Sequence, residues 1–190
     1  MILGITGGTG CGKTTLLQCV RERGGLVLDC DEIYHGLLRT DEKMLSDIAG
    51  RFPGTVADGS LDRKALGAIV FADENALLQL NAITHAAVKR EVERRLSGFD
   101  GLAAIDAIGL VEGGLVPLCH TTVAVTAPLE QRIRRLMARD GITREYALSR
   151  IHAQKDEAFY RENCDHTLCN DGTLEQFREK CRAFLTAILD

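Results

Sequence analysis

Gly7-Gly8-Thr9-Gly10-Cys11-Gly12-Lys13-Thr14 fills the pattern G-x-x-x-x-G-K-[ST] at every position. It follows an apolar, strand-like run and precedes a helical stretch, the context in which that pattern cradles phosphates. Glycine lets the backbone wrap an anion with its N–H groups turned inward. The start of the following helix adds a partial positive charge. The residues expected to hold a nucleotide are Gly8, Thr9, Gly10, Cys11, Gly12, Lys13, Thr14 and Thr15. Lys13 has the reach for the β- and γ-phosphates of ATP, and the Thr14 hydroxyl can ligate Mg²⁺.

Carboxylates follow at two strand ends. Asp29 and Asp31 close the second apolar run, where one could take the proton of an acceptor hydroxyl. Aspartate is also a preferred helix N-cap, so one of the pair can cap while the other catalyses. Asp106 ends the third run, Leu102-Ala103-Ala104-Ile105, where a carboxylate helps to hold Mg²⁺. Asp106-Ala107-Ile108-Gly109 also matches the short DxxG pattern of GTPase switches, but no guanine-reading [NT]KxD follows. Arg132, Arg135 and Arg139, spaced three and four apart, share a helix face. Such a face suits phosphate clamping, or else a solvated basic surface paired with Glu130. Asn81 and His85, four apart on a long helical stretch, project together.

These groups need a parallel sheet to bring them together, and short apolar runs alternate with helical stretches as such a sheet requires. Strands are expected at 1–6, 26–29, 102–106, 121–125 and 166–169, the first, third and fourth apolar enough to be central. Helices are expected at 14–23, 41–52, 62–71, 74–96, 128–139, 144–154 and 174–189. In the longest, Leu77, Leu80, Thr84, Val88, Val92 and Leu96 form a buried stripe. The several helices between the second and third strands exceed what one crossover needs, and predict a helical insertion at about 32–97.

Composition narrows the function classes. The 190 residues suit one α/β domain with an insertion and a small lid. A net charge of -4 argues against a nucleic-acid partner, and no apolar run is long enough for a membrane span. Seven cysteines at irregular spacing, with no leader-like start, fit free thiols in a cytoplasmic protein. Cys164, His166 and Cys169 lack the second ligand pair that a zinc site needs.

The order of motifs resembles the dephospho-CoA kinase family over nearly the whole chain. The resemblance is carried by Gly4 through Thr15, by Asp29-Cys30-Asp31 with Ile33 and His35, and by Gly59-Ser60-Leu61-Asp62-Arg63 with Leu66, Val70 and Phe71. It continues through Leu80-Asn81-Ala82-Ile83-Thr84-His85, Ile105-Asp106-Ala107 with Leu110 and Glu112, Gln131-Arg132 with Arg139, Arg150-Ile151 with Gln154, and Asn170-Asp171-Gly172. It implies a P-loop NTPase-type parallel sheet, ATP and Mg²⁺ as cofactors, and phosphorylation of the ribose 3′-hydroxyl of dephospho-CoA, a small-molecule partner. It implies Asp31 as the catalytic base, supported by Lys13, Asp29 and Arg139. Arg63, Asn81 and His85 are the expected substrate-binding residues, Thr14 and Asp106 the metal ligands, and residues 139–154 a mobile lid. Two segments depart from the family pattern. Ala86 stands where a proline usually follows the histidine, and Ile108-Gly109-Leu110 precedes Val111-Glu112 where Pro-Leu-Leu usually precedes the glutamate. The competing readings are a nucleoside monophosphate-type small-molecule kinase and a nucleotide-dependent switch protein.

Overall fold

The computed structural model describes Met1–Leu189. In chain order the elements are β1 (Ile2–Thr6), α1 (Lys13–Glu22), β2 (Leu26–Asp29), α2 (Cys30–Thr40), α3 (Glu42–Arg51), β3 (Val56–Ala57), β4 (Ser60–Leu61), α4 (Arg63–Val70) and α5 (Glu74–Leu96). Then follow β5 (Ala103–Asp106), a 3-10 turn at Val116–Leu118, β6 (Thr121–Thr126), α6 (Leu129–Asp140), α7 (Arg144–His152), α8 (Glu157–Glu162), β7 (His166–Cys169) and α9 (Leu174–Leu189). They form two compact units: Met1–Leu28 with the chain from Gly98 onward, and Asp29–Ser97.

The first unit carries a five-stranded sheet in the order β2-β5-β1-β6-β7. The β5–β1, β1–β6 and β6–β7 pairings are parallel, and the three apolar strands are the central ones, as their composition requires. Alternation along the strands turns Leu3 and Ile5 of β1 and Val123 and Val125 of β6 into one core. Leu16 and Val20 of α1 and Phe177, Cys181 and Leu185 of α9 complete it. The α1 and α9 residues recur at spacings of four, the period that keeps them on one helix face. A second cluster joins Ile133 and Leu136 of α6 to Ala147 and Ile151 of α7, so these two helices form a hairpin with its own small core.

In the second unit, α2, α3 and α4 all contact α5. Ile48 of α3 and Val92 of α5 have no exposed surface, and each such side chain contributes about 1.5–3 kcal/mol on burial. Asp41 ends α2 and caps α3, its carboxylate accepting from Met44 N at 2.9 Å. Arg90 of α5 pairs with the same carboxylate.

Several elements differ from the sequence expectation. Helix α2 had no range in the expected set, but the cap read at the Asp29/Asp31 pair belongs to it: Asp29 precedes it, and Asp31 and Glu32 stand in its first turn. The β3–β4 hairpin turns on Asp58 and Gly59, both with positive φ, and Asp-Gly is a favoured pair for such a turn. Helix α8 has only six residues, capped by Asp156, too few for a periodic pattern. In α5 the stripe fails at Leu77, which is exposed while Ala76 is buried. Helix α7 stops at His152, leaving Gln154 beyond the C-cap residue Ala153. No described helix is long and apolar enough to cross a membrane.

Candidate active site

The glycine loop joins β1 to α1, and its shape follows from what its peptide groups touch. Gly12 is the N-cap of α1 with φ 103°, a conformation that side chains resist. Side-chain donors hold its carbonyls. Lys13 Nζ donates to Gly7 O at 3.0 Å, Arg132 Nε to Thr9 O at 2.9 Å and Arg135 Nη1 to Gly10 O at 3.2 Å. Asn170 Nδ2 donates to Cys11 O at 2.9 Å. A planar trans peptide points its N–H opposite to its C=O. Bracing these carbonyls therefore turns the N–H groups of Gly8, Gly10 and Gly12 to the other side. The first turn of α1 carries no acidic residue, so its N-terminal partial charge is left for an anion.

Lys13 and Asp106 meet because of sheet register. Asp106 of β5 pairs with Ile5 of β1, two residues before the loop, and Lys13 Nζ lies 4.0 Å from its Oδ1. Both side chains are largely covered. Cys11 is buried in the loop, and desolvation pushes its thiol up against the pull of Arg132 and Lys13. It is a neutral filler there.

The arginines of α6 do not act alike. Arg132 and Arg135 turn onto the loop. Arg135 also donates to Gln131 Oε1 at 2.9 Å and Asn170 Oδ1 at 3.1 Å. Arg139 instead forms two bonds with its neighbour Asp140, at 2.7 and 2.9 Å, and Arg150 reaches the same carboxylate at 2.6 Å. Arg139, ahead of Arg150, holds the Asp140 carboxyl at about 2. Glu130 pairs with Arg144 rather than with the Arg132 face. Gln154 accepts the N–H of Thr9 at 2.8 Å. A cavity of about 380 Å³ beside it is lined by Ile108, Glu112, Lys155 and Tyr160. Burial, with the charge of Glu112, raises the Tyr160 hydroxyl to about 12 against the pull of Arg132.

The second unit holds the other expected residues. Asp29 Oδ1 accepts from Asp31 N at 2.9 Å and Glu32 N at 3.1 Å, so Asp29 is the cap of α2. Asp31 stands exposed in the first turn. Arg63 opens α4 behind the cap Asp62. With Tyr34, His35, Leu38, Leu66 and Leu80 it lines a cavity of about 180 Å³. Asn81 and His85 are half-buried on α5. Four loop contacts were not foreseen: the braces from Arg132, Arg135 and Asn170, and the Gln154 acceptor. Asn170 and Gln154 stood in motif segments, but no local signal tells which backbone group a distant side chain will meet.

A central parallel strand running into such a loop, with a lysine folded back over it and a carboxylate on the adjoining strand, is the frame of a P-loop kinase. Solved structures share it. A crystal structure from Thermus thermophilus matches with TM-score 0.79 at 37% identity, covering 98% of this chain and 97% of that one. A shikimate kinase from Bacteroides thetaiotaomicron shares the fold, with TM-score 0.57 at 16% identity, over 100% of this chain and 98% of that one. The family model described as dephospho-CoA kinase matches residues 1–176. Dephospho-CoA kinases of Thermus thermophilus and Latilactobacillus sakei are 37% and 33% identical, covering 99% and 98% of this chain and 92% and 95% of theirs. The chain belongs to the dephospho-CoA kinase family, whose members use ATP to phosphorylate dephospho-CoA in the last step of coenzyme A synthesis.

Proposed function

We propose that this chain performs that transfer, with ATP held at the glycine loop and Asp31 as the base. The observation that carries the reading is the bracing of the loop. Three of its carbonyls are tied outward to Arg132, Arg135 and Asn170, leaving an N–H-lined concavity suited to a polyphosphate. Lys13 is the charge at the β- and γ-phosphates.

Thr14 and Asp106 fit a hard cation. They offer a hydroxyl at the start of α1 and a carboxylate at the end of β5, oxygen donors of the kind Mg²⁺ takes alongside water and phosphate oxygens. When bound, Mg²⁺ neutralises charge developing on the phosphates. Asp31 accepts the proton of the ribose 3′-hydroxyl. Asp29 is already committed to the helix cap, which supports Asp31 as the base and Asp29 as the residue that sets its backbone. Arg63, Asn81 and His85 are the proposed acceptor contacts, and Arg139 with Arg150 the hinge charges of a lid over residues 139–154.

The deciding experiment is ATP consumption with dephospho-CoA against a panel of nucleosides and sugars. Turnover confined to dephospho-CoA supports the assignment. Equal or faster turnover with a nucleoside or sugar sinks it.

A further inference from the structure

We infer that Arg132 is a phosphate-contacting residue of the nucleotide site, offering its Nη2 to the β,γ end of the polyphosphate. The inference rests on the P-loop reading above and adds a residue to it. Nε of Arg132 is committed to Thr9 O at 2.9 Å, which fixes the plane of the guanidinium over the loop. Nη2 is buried and has no hydrogen-bond partner among the described residues. Buried polar groups in native proteins are almost always paired, and an exception calls for an absent partner.

The missing partner is an anion. No carboxylate forms an ion pair with Arg132 among the described residues, whereas Arg139 and Arg144 on the same side of the sequence are matched by Asp140 and Glu130. The backbone is also cut away to admit the group. A Cβ on Gly8 would collide with Nη2 and lie 3.1 Å from Gln154 Oε1. Those two atoms therefore converge on one spot above Gly8 and Thr9, where an oxygen already accepts the Thr9 N–H. A phosphate oxygen taking the place of the Gln154 amide would accept from both Thr9 N and Arg132 Nη2. The loop also shows which phosphate this is. Lys13, which serves the β- and γ-phosphates, folds back onto Gly7 O at 3.0 Å, so the start of the loop is the β,γ end. Gly8 and Thr9 follow directly.

Arg132→Gln and Arg132→Lys test this beside Lys13→Ala. Affinities for ATP and ADP are read by calorimetry, kcat with dephospho-CoA by ADP release, and folding by thermal melting. Loss of one preorganised donor to the transferred group costs about 10²-fold in turnover. Arg132→Gln should therefore lose about 10²-fold in kcat or in the ATP-to-ADP affinity ratio. Arg132→Lys should recover only a small part, because one ammonium cannot bond Thr9 O and a phosphate as a planar fork does. If either folded variant keeps both kcat and that ratio within about threefold of wild type, Arg132 is only a splint for Thr9 and the inference falls. Should Lys13→Ala also bind ATP normally, the P-loop reading itself has failed. A normal Arg132→Gln beside a defective Lys13→Ala overturns this inference alone.

Discussion

The side-chain oxygen of Gln154 accepts the backbone N–H of Thr9 at 2.8 Å, bridging 145 residues of sequence. The loop that should present its amides to phosphate thus has one of them occupied by a side chain that follows α7. Binding of nucleotide must exchange one oxygen acceptor for another at that amide.

Gln154→Ala should therefore bind ATP more tightly. The net worth of a neutral hydrogen bond, about 0.5–1.5 kcal/mol, corresponds to a gain of about 2–10-fold. Titration calorimetry with ATP in the absence of acceptor reads it directly. Weaker binding by the variant would show that Gln154 acts on the bound nucleotide instead of standing in for it.

Asp29 and Asp31 should separate cleanly. Asp31→Asn removes basicity while keeping shape, and should lower turnover by about 10²–10⁴-fold, with ATP affinity retained. Asn remains a good N-cap, so Asp29→Asn should be mild in both turnover and stability. Asp29→Ala should cost about 1 kcal/mol of stability through the lost cap. Saturating kinetics and thermal melts on the three variants measure this. A larger turnover defect in Asp29→Asn than in Asp31→Asn would move the base to Asp29.

Asn170 is a structural brace. It is buried, donates to Cys11 O and accepts from Arg135. Asn170→Ala removes two hydrogen bonds, leaving Cys11 O with a 3.4 Å bond from Arg135 and Arg135 with Gln131 Oε1, and should cost about 0.5–1.5 kcal/mol for each bond lost. For a chain of this size each kcal/mol lowers Tm by about 2–4 °C. The melt should shift accordingly, and ATP affinity should fall with it as the loop loses its support. An unshifted melt would mean that Arg135 alone holds the loop.

Acid should weaken the helical unit through Glu91. Arg94 first, then Arg95, hold its carboxyl at about 2 from an ordinary 4.5. A depressed carboxyl pKa stabilises the fold above the unfolded value and ceases to do so as pH falls through the folded one. The stability difference between wild type and Glu91→Gln should be full above pH 4.5 and vanish on descent to about 2. Urea melts across that range follow it. A difference that does not change with pH would show that Glu91 acts by packing and not by charge.

Much of this molecule could be read from its sequence because the signals are local. The P-loop pattern, the alternation of apolar runs with helical stretches, and the apolarity of β1, β5 and β6 each depend on neighbours along the chain. The Asp29 cap and the Asp58-Gly59 turn were also local signals. The cap was read without a range for the helix it opens, and the turn was passed over because the two strands it joins have only two residues each.

What the tertiary structure alone decided is how side chains far apart in sequence share out their bonds. Spacing puts Arg132, Arg135 and Arg139 on one face of α6. It cannot say that the first two turn to the carbonyls of Thr9, Gly10 and Cys11 while the third is neutralised by Asp140. Asp106 comes to Lys13 through the register of β5 on β1, and Gln154 reaches Thr9 because α6 and α7 pack as a hairpin through Ile133, Leu136, Ala147 and Ile151. A motif specifies which groups can bind phosphate. The packing of residues more than a hundred positions away determines which backbone groups are held outward and which are left facing the ligand, because each buried N–H and C=O must find a partner wherever the fold brings one.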